Sequence, residues 1–349
     1  MNWSLSVSTR PLASRSEKRR VGKGTSTART LRHRSGACYR PRVLRDLSDA
    51  ERAAYFRGIH PIWGGGLEEA RFLAFQRRLA EAPEAHGRYR LLGWTSEQGA
   101  LLSAMKAYDL RGSSARKELR VLGIGAVFTP PELRRRGHAA AMLRAAMADA
   151  RAQGAQAAVL FSDIDVDYYR RLGFRLVESR ESIVETSQLP RVSGGYRSAM
   201  AGDEEEMSRL FSAARESETR FSLARDGWAV RFQLRRLREL ARARSAGEPE
   251  WGLIAEDGAA MVRFGRETLD VLDAAWLNDR ARDRVLGALR DCMQRTGRIE
   301  LRLWPAGQLR DLFAAAERTT ALAMVAPLAN SAPLPERGGP TELALLDHI

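Results

Sequence analysis

The stretch that most limits how this chain folds runs from Val121 to Ala150, where an apolar strand, an arginine-rich turn and an amphipathic helix follow one another directly. Val121-Leu122-Gly123-Ile124-Gly125-Ala126-Val127-Phe128 reads as a buried strand, and Pro130-Pro131 ends it, because proline brings no ladder donor and restrains the residue before it. Ala139, Met142, Leu143, Ala146, Met147 and Ala150 then recur at three- and four-residue spacing, the period of a helix with one buried face. Between strand and helix lies Arg134-Arg135-Arg136-Gly137-His138-Ala139. The unspent N–H groups and the positive dipole end of the helix converge on this turn, Gly137 lets an anion approach the backbone, and the arginines add charge-assisted contacts. The turn is expected to be a phosphate cradle.

A second motif follows in register with the first. Arg134, Gly137 and Ala139 fit the pattern Arg/Gln-x-x-Gly-x-Gly/Ala, and about thirty residues on, Tyr168-Tyr169-Arg170-Arg171-Leu172-Gly173-Phe174 gives an aromatic pair, three residues and Gly-Phe. In order and spacing the two segments resemble the signatures of the GNAT N-acetyltransferase superfamily, whose acetyl-CoA-binding motif is the first of them. The resemblance implies an α/β (α+β) fold, with a mixed, mostly antiparallel sheet flanked by helices and splayed between two central strands so that pantetheine can enter. It implies acetyl-CoA as co-substrate, no metal, and transfer of an acetyl group to a primary amine.

Thioester aminolysis sets three tasks: the ammonium must lose a proton, the tetrahedral oxyanion must be stabilised, and the departing thiolate must be protonated. The resemblance assigns the second to backbone N–H groups at Val127, Phe128 and Thr129, and the third to Tyr169, four residues before Gly173. The cofactor contacts it implies are Val127, Phe128, Thr129, Arg134, Arg135, Arg136, Gly137, His138 and Ala139. For the base, Asp163, Asp165 and Glu118 are candidates by location, with Asp163 first because it follows the strand-like run Ala157 to Phe161; the alternative for Asp163 is a helix N-cap in Ser162-Asp163-Ile164-Asp165. His138 falls inside the turn and reads as a cofactor contact or a surface residue; His348 has no assignment.

Charge does not redirect this reading. The net charge of +14 is concentrated in residues 1–40, which hold ten Lys or Arg against Glu17 alone and are rich in Ser and Thr. With no sustained apolar period, the segment is expected to be a disordered basic tail, of a composition shared by organelle transit peptides and simple tails. A tail of this kind touches polyanions through charge alone, so no specific nucleic acid is expected as a partner. Apolar runs fall far short of the roughly 20 residues that cross a bilayer. Cys38 and Cys292 suggest neither a disulfide framework nor a metal site. The expected location is cytoplasmic.

Residues 41–190 are expected to form the cofactor-binding catalytic domain. Leu44 to Phe56 and Leu67 to Leu79 read as helices, and Trp63 precedes Gly64-Gly65-Gly66 in a loop that, by the resemblance, lines the acceptor site; its alternative is a Trp packed over a glycine turn. Tyr89 to Thr95, Leu101 to Leu110 and Glu118 to Phe128 read as an antiparallel meander, with Ala157 to Phe161 as a further central strand. Pro190, Gly194 and Gly195 mark a boundary. Residues 191–349 then repeat the order of elements, which points to a second, degenerate GNAT-like domain: helices over Asp203 to Ser217 and Arg225 to Arg244; strands over Trp251 to Ala255, Ala259 to Phe264 and Thr268 to Ala275; a helix over Asp279 to Arg295; and a strand, helix, strand unit over Glu300 to Leu303, Gln308 to Ala316 and Leu322 to Ala326. At its turn, Leu277-Asn278-Asp279-Arg280-Ala281-Arg282 has no glycine and sets Asp279 and Asp283 against any phosphate, so one cofactor per chain is expected.

Val127-Phe128-Thr129-Pro130-Pro131-Glu132 and Leu160-Phe161-Ser162-Asp163-Ile164 resemble, more narrowly, the fungal lysine N6-acetyltransferases, which implies a small-molecule amine acceptor such as lysine. The competing readings are an aminoglycoside or protein-lysine acetyltransferase and, outside the enzymes, a non-catalytic acyl-CoA sensor.

Overall fold

The computed structural model describes residues 43–192, 194–200, 202–214, 219–244, 251–265 and 267–348. The expected basic tail, residues 1–40, lies outside them. Elements run in the order β1 Val43–Asp46, α1 Asp49–Trp63, α2 Glu69–Ala80, β2 Tyr89–Thr95, β3 Leu101–Ser114, β4 Lys117–Phe128, α3 His138–Ala152, β5 Ala157–Ser162, α4 Val166–Arg170, β6 Arg175–Leu176 and β7 Arg180–Glu185. They continue with β8 Arg197–Ser198, α5 Glu204–Ala213, β9 Phe221–Leu223, α6 Gly227–Ala243, β10 Gly252–Ala255, β11 Gly258–Phe264, β12 Thr268–Trp276, α7 Asp279–Thr296, β13 Glu300–Leu303, β14 Ala316–Glu317, β15 Leu322–Pro327 and β16 Thr341–Glu342. No helix among the described residues is long and apolar enough to cross a membrane.

Among the described residues the strands form two mixed sheets. The first has the order β1-β2-β3-β4-β5-β15-β6, with β9 and β16 added beside β3; the second has the order β14-β7-β13-β12-β11-β10-β8. Each sheet has an antiparallel meander followed by one parallel step, β4 to β5 and β12 to β13, and each step is bridged by a long helix, α3 or α7. The element order expected of two related halves is present, and the fold is mixed α/β with helices flanking both sheets.

The last strands of the two halves are exchanged. β7, which follows the first half's elements in sequence, lies between β13 and β14 in the second sheet, while β15 from the end of the second half lies antiparallel between β5 and β6 in the first. Both inserted strands are covered on their inner faces: Val184, Ala323, Met324 and Val325 are buried. The expected boundary near residue 190 therefore follows a strand that already belongs to the second sheet.

The cores follow this arrangement. α1, α2 and part of α6 cover one face of the first sheet and α3 the other; α7 covers one face of the second sheet, with α5 and the rest of α6 on the opposite side. Helix α6 touches both sheets because Phe232 and Ala243 pack into the first core and Val230, Leu234 and Leu237 into another. Two expected helices are corrected. Leu44 belongs to β1, paired with Trp94 of β2, and the helix starts only at Asp49, where Ser48 and Glu51 form a capping box. Gln308 to Ala316 is a helical turn at Gly307–Leu309 followed by an irregular link to β14, a short run diverted by the side-chain anchoring of Gln308 described below.

Candidate active site

The first sheet opens where expected. β4 and β5 pair in parallel from Val121 with Ala157 to Ile124 with Leu160, and beyond that pair they part: β4 stays with β3 to Phe128, while β5 stays with β15 to Ser162. A bulge in β4 turns it away. Its register against β3 shifts between Ala104 and Lys106, and Ala126 takes a left-handed conformation with φ 46°. Side chains hold the bulged end: the Tyr55 hydroxyl donates to the Ala126 carbonyl at 2.6 Å, Ser103 donates to the Phe128 carbonyl at 2.8 Å, and the Ser103 and Thr129 hydroxyls lie 2.9 Å apart. Helix α1 reaches this edge because residue 58 is glycine; a Cβ there would come within 2.5 Å of the Phe128 ring.

The arginine turn leads from this edge into α3. Arg134 donates from Nε to the Thr129 carbonyl at 3.1 Å, and Arg134, Arg135 and Arg136 are exposed. Gly137 is the N-cap residue with φ 79°; no side chain caps the helix, and a Cβ on Gly137 would meet nothing within 4 Å. The first-turn N–H groups thus face open space beside three cations, which fits a phosphate cradle. His138, by contrast, is buried rather than a surface residue.

Tyr169 is on α4, which follows β5, in the core cluster that α3 also enters; it is 8 % exposed and packed edge-on to Tyr168 and Phe174. Burial pushes its hydroxyl pKa well up, with Tyr168 and Asp163 adding to the shift, so the phenol stays protonated through the neutral range. The three candidate bases separate clearly. Glu118 pairs with Ser113 at the far end of β4, about 26 Å along the strand from the bulge, and Asp165 caps α4 by accepting from Asp167 N–H at 2.9 Å. Asp163 is exposed at the end of β5, and its Oδ1 accepts from Ala321 N–H at 2.9 Å, tying the approach to β15 to the edge of the opening. Trp63 ends α1 rather than lying in the glycine turn, and is 36 % exposed.

Residues from the second half border the same opening, and sequence reasoning did not find them. Phe161, the first residue of β5 beyond its last pair with β4, packs against Trp304 and His348 at ring separations of 5.5 and 5.4 Å. Arg318 lies over the Trp304 ring, and Arg236 on α6 donates to the His348 carbonyl at 3.0 Å. Burial, then the charges of Arg236, Arg263, Arg318 and Arg302, push the His348 pKa down to about 3, so the ring is neutral. On β3, half-buried Lys106 donates to Gln76 at 2.9 Å; burial, then Arg236, push its pKa down to about 7. Lys106 carried a sequence signal, a single cation within Leu101 to Leu110. Arg318 carried none.

The equivalent opening in the second half is occupied by the protein itself. β12 and β13 pair only from Thr268 with Glu300 to Val271 with Leu303, and beyond that β12 continues to Trp276 paired with β11 alone. There Gln308 bonds both backbone groups of Trp276, accepting from its N–H and donating to its carbonyl, each at 2.8 Å. Asn278 caps α7 by accepting from Ala281 N–H at 2.8 Å, and Asp279 pairs with Arg282. The groups left open in the first half are spent here.

Residues 45–177 match the family described as acetyltransferase (GNAT) domain. No curated protein is a significant match to the chain. Similar solved structures include a GCN5-related N-acetyltransferase from Kribbella flavida (TM-score 0.63, 19 % identity, covering 83 % of this chain and 72 % of that one). A probable N-acyltransferase from Enterococcus faecalis V583 has TM-score 0.63 and 17 % identity over 85 % of this chain and 74 % of its own. A GCN5-related N-acetyltransferase from Anabaena variabilis has TM-score 0.63 and 12 % identity over 86 % and 76 %. At these identities the likeness is one of fold, and its coverage takes in both halves.

Proposed function

We propose that the chain, whose residues 45–177 match the acetyltransferase (GNAT) domain family, transfers an acetyl group from acetyl-CoA to a primary amine of a small molecule, at the opening between β4 and β5. The observation that carries this reading is the pairing of an uncapped, arginine-flanked helix start at Gly137, after β4, with the buried phenol of Tyr169 on the helix that follows β5. Bound there, acetyl-CoA supplies the activated acyl group. Arg134, Arg135, Arg136 and the backbone from Gly137 to Ala139 hold its pyrophosphate, while backbone N–H groups at Val127, Phe128 and Thr129 orient the thioester and stabilise the oxyanion.

Asp163 takes a proton from the acceptor's ammonium, directly or through water, using the carboxylate capacity left beyond its bond to Ala321. The free amine attacks the thioester carbon, the C–N bond forms and the C–S bond breaks, and the proton then shed by the new amide nitrogen replaces the one that Tyr169 gives to sulfur. Tyr169 supplies the proton that the sulfur takes up, and its protonated state at neutral pH is what a donor requires. The second half has spent its own opening on Gln308 and Asn278, and in this reading it walls the acceptor side with Phe161's neighbours Trp304 and His348.

A panel of amino acids, polyamines, aminoglycosides and peptides, incubated with acetyl-CoA and read by release of free thiol, tests the proposal. Amine-dependent thiol release is expected, and Tyr169→Phe should lower kcat by about 100-fold or more while acetyl-CoA still binds. Tight acetyl-CoA binding with no thiol release for any amine would make the chain a binding protein, and full turnover by Tyr169→Phe would remove that residue from the reaction.

A further inference from the structure

Buried and half-buried arginines elsewhere among the described residues are commonly paired with carboxylates. Arg225, 3 % exposed, is held between Asp273 and Asp347; Asp270 binds Arg263 and Arg302; Arg310 lies between Glu178 and Glu342. Arg318 departs from this rule. It is 7 % exposed, its Nε and Nη1 are enclosed without a hydrogen-bond partner, and its guanidinium lies over the Trp304 ring with Cζ 3.4 Å from the ring centroid. Glu181 and Asp163 act on it only through their fields, which do not offset the effect of burial. A guanidinium remains charged under such conditions, and an enclosed cation without a paired anion is strongly unfavourable. The energetic deficit is removed if a ligand supplies the anion.

The position says which ligand. Arg318 lies on the link from β14 to β15, fixed where its N–H donates to the Ser179 carbonyl at 2.8 Å and where Ala321 N–H meets Asp163. Its stacking partner Trp304 packs on Phe161 at the mouth of the β4–β5 opening, in the cluster shared with α5 and α6. Helix α3, whose start forms the phosphate cradle, packs in a different cluster on the other face of the first sheet. The anion facing Arg318 therefore belongs to the acceptor and not to the cofactor. Arg236 and Lys106 add positive charge on the same side, each bonded to a neutral group, the His348 carbonyl and Gln76. A polycationic acceptor would be repelled there.

We propose that Arg318 is the carboxylate-recognition residue of the acceptor site, so that the amine acetylated is one that also bears a carboxylate, as a free amino acid does. This rests on the acetyl-transfer reading above. Strand exchange gives it a structural cause: inserting β15 beside β5 carries Arg318 from the second half to the first half's opening.

Matched pairs of amines that differ only by the carboxylate, lysine with cadaverine, ornithine with putrescine and histidine with histamine, test the proposal in thiol-release assays. The intact chain should prefer one or more carboxylate-bearing members by about 10- to 100-fold in kcat/KM. Arg318→Met should erase that preference by raising KM for the carboxylate-bearing amine, with kcat, the acetyl-CoA affinity and the kinetics of the decarboxylated partner nearly unchanged; Arg318→Lys should retain part of it. Because Met removes an unpaired buried charge and keeps the stack on Trp304, the ligand-free variant should melt at a higher temperature than the parent. Equal or better use of the decarboxylated amines by the intact chain, or an equal loss for both members of a pair in Arg318→Met, would overturn the assignment. If no amine is acetylated, the reaction proposed above fails, and calorimetric titration with the same amino acids decides this proposal separately: binding that Arg318→Met abolishes upholds it, and no binding overturns it.

Discussion

Lys106 shows how a single side chain records the character of this site. Its side chain is half-buried on β3 with Gln76 as hydrogen-bond partner, and burial reinforced by Arg236 brings its pKa from the ordinary lysine value of 10.5 to about 7. Below pH 7 the lysine is charged in both folded and unfolded chains, and the fold bears the whole cost of enclosing that charge. Between pH 7 and 10.5 the unfolded chain holds a proton that the folded chain has released, so stability rises with pH, and above 10.5 the penalty is gone. Lys106→Met should therefore gain most relative to the parent near pH 6, and its advantage should shrink by a few kcal/mol as pH is raised to 10, measured by denaturant unfolding at each pH. A difference that does not change with pH would show that Lys106 is solvated and fully charged. Residues of the motifs were legible because their spacing is local: Arg134, Gly137 and Tyr169 each lie within a few positions of the feature that identifies them. Arg318, in Glu317-Arg318-Thr319-Thr320, owes its environment to a strand pairing more than 150 residues distant in sequence, Leu322 with Ser162, and nothing in its neighbourhood announces that.

Strands and helices were legible wherever a period ran long enough. The strand over Tyr89 to Thr95 and that over Glu300 to Leu303 coincide with β2 and β13, and α7 ends one residue beyond the expected Arg295. Short runs were not. Val43–Asp46 is a four-residue edge strand directly before a helix start, and periodicity cannot separate it from the helix that follows. Pairing partners were also hidden, since β7 and β15 look from sequence like the closing strands of their own halves. Their exchange makes each sheet depend on the other half. Residues 41–190 produced alone would leave β5 without β15, exposing the apolar run Ala157 to Leu160 and its backbone groups along an unpaired edge. That fragment is expected to aggregate or to lack a cooperative thermal transition, whereas the full chain should unfold in one. A soluble fragment with a sharp melt of its own would contradict an obligatory exchange.

At the scale of the whole molecule the two halves share an architecture and differ at their openings. Both have a bulged meander, a parallel step and a strand that runs on beyond its partner; in the first half that strand edge and the helix start beside it stay open, and in the second Gln308 and Asn278 close them. The missing glycine and the two aspartates at Asp279 and Asp283 set this turn apart from the first half's already in sequence. Gln308, which fills the opening, was hidden inside an expected helix. Helix α6 then joins the two cores, so the closed half can lend side chains to the open one. This difference between the halves predicts that one cofactor binds per chain, in the first half. Calorimetric titration of the full chain with acetyl-CoA tests it most directly. A stoichiometry of one site per chain, with affinity reduced at least tenfold by Gly137→Val, is the predicted result; two sites per chain, or a single site indifferent to Gly137→Val, would contradict it.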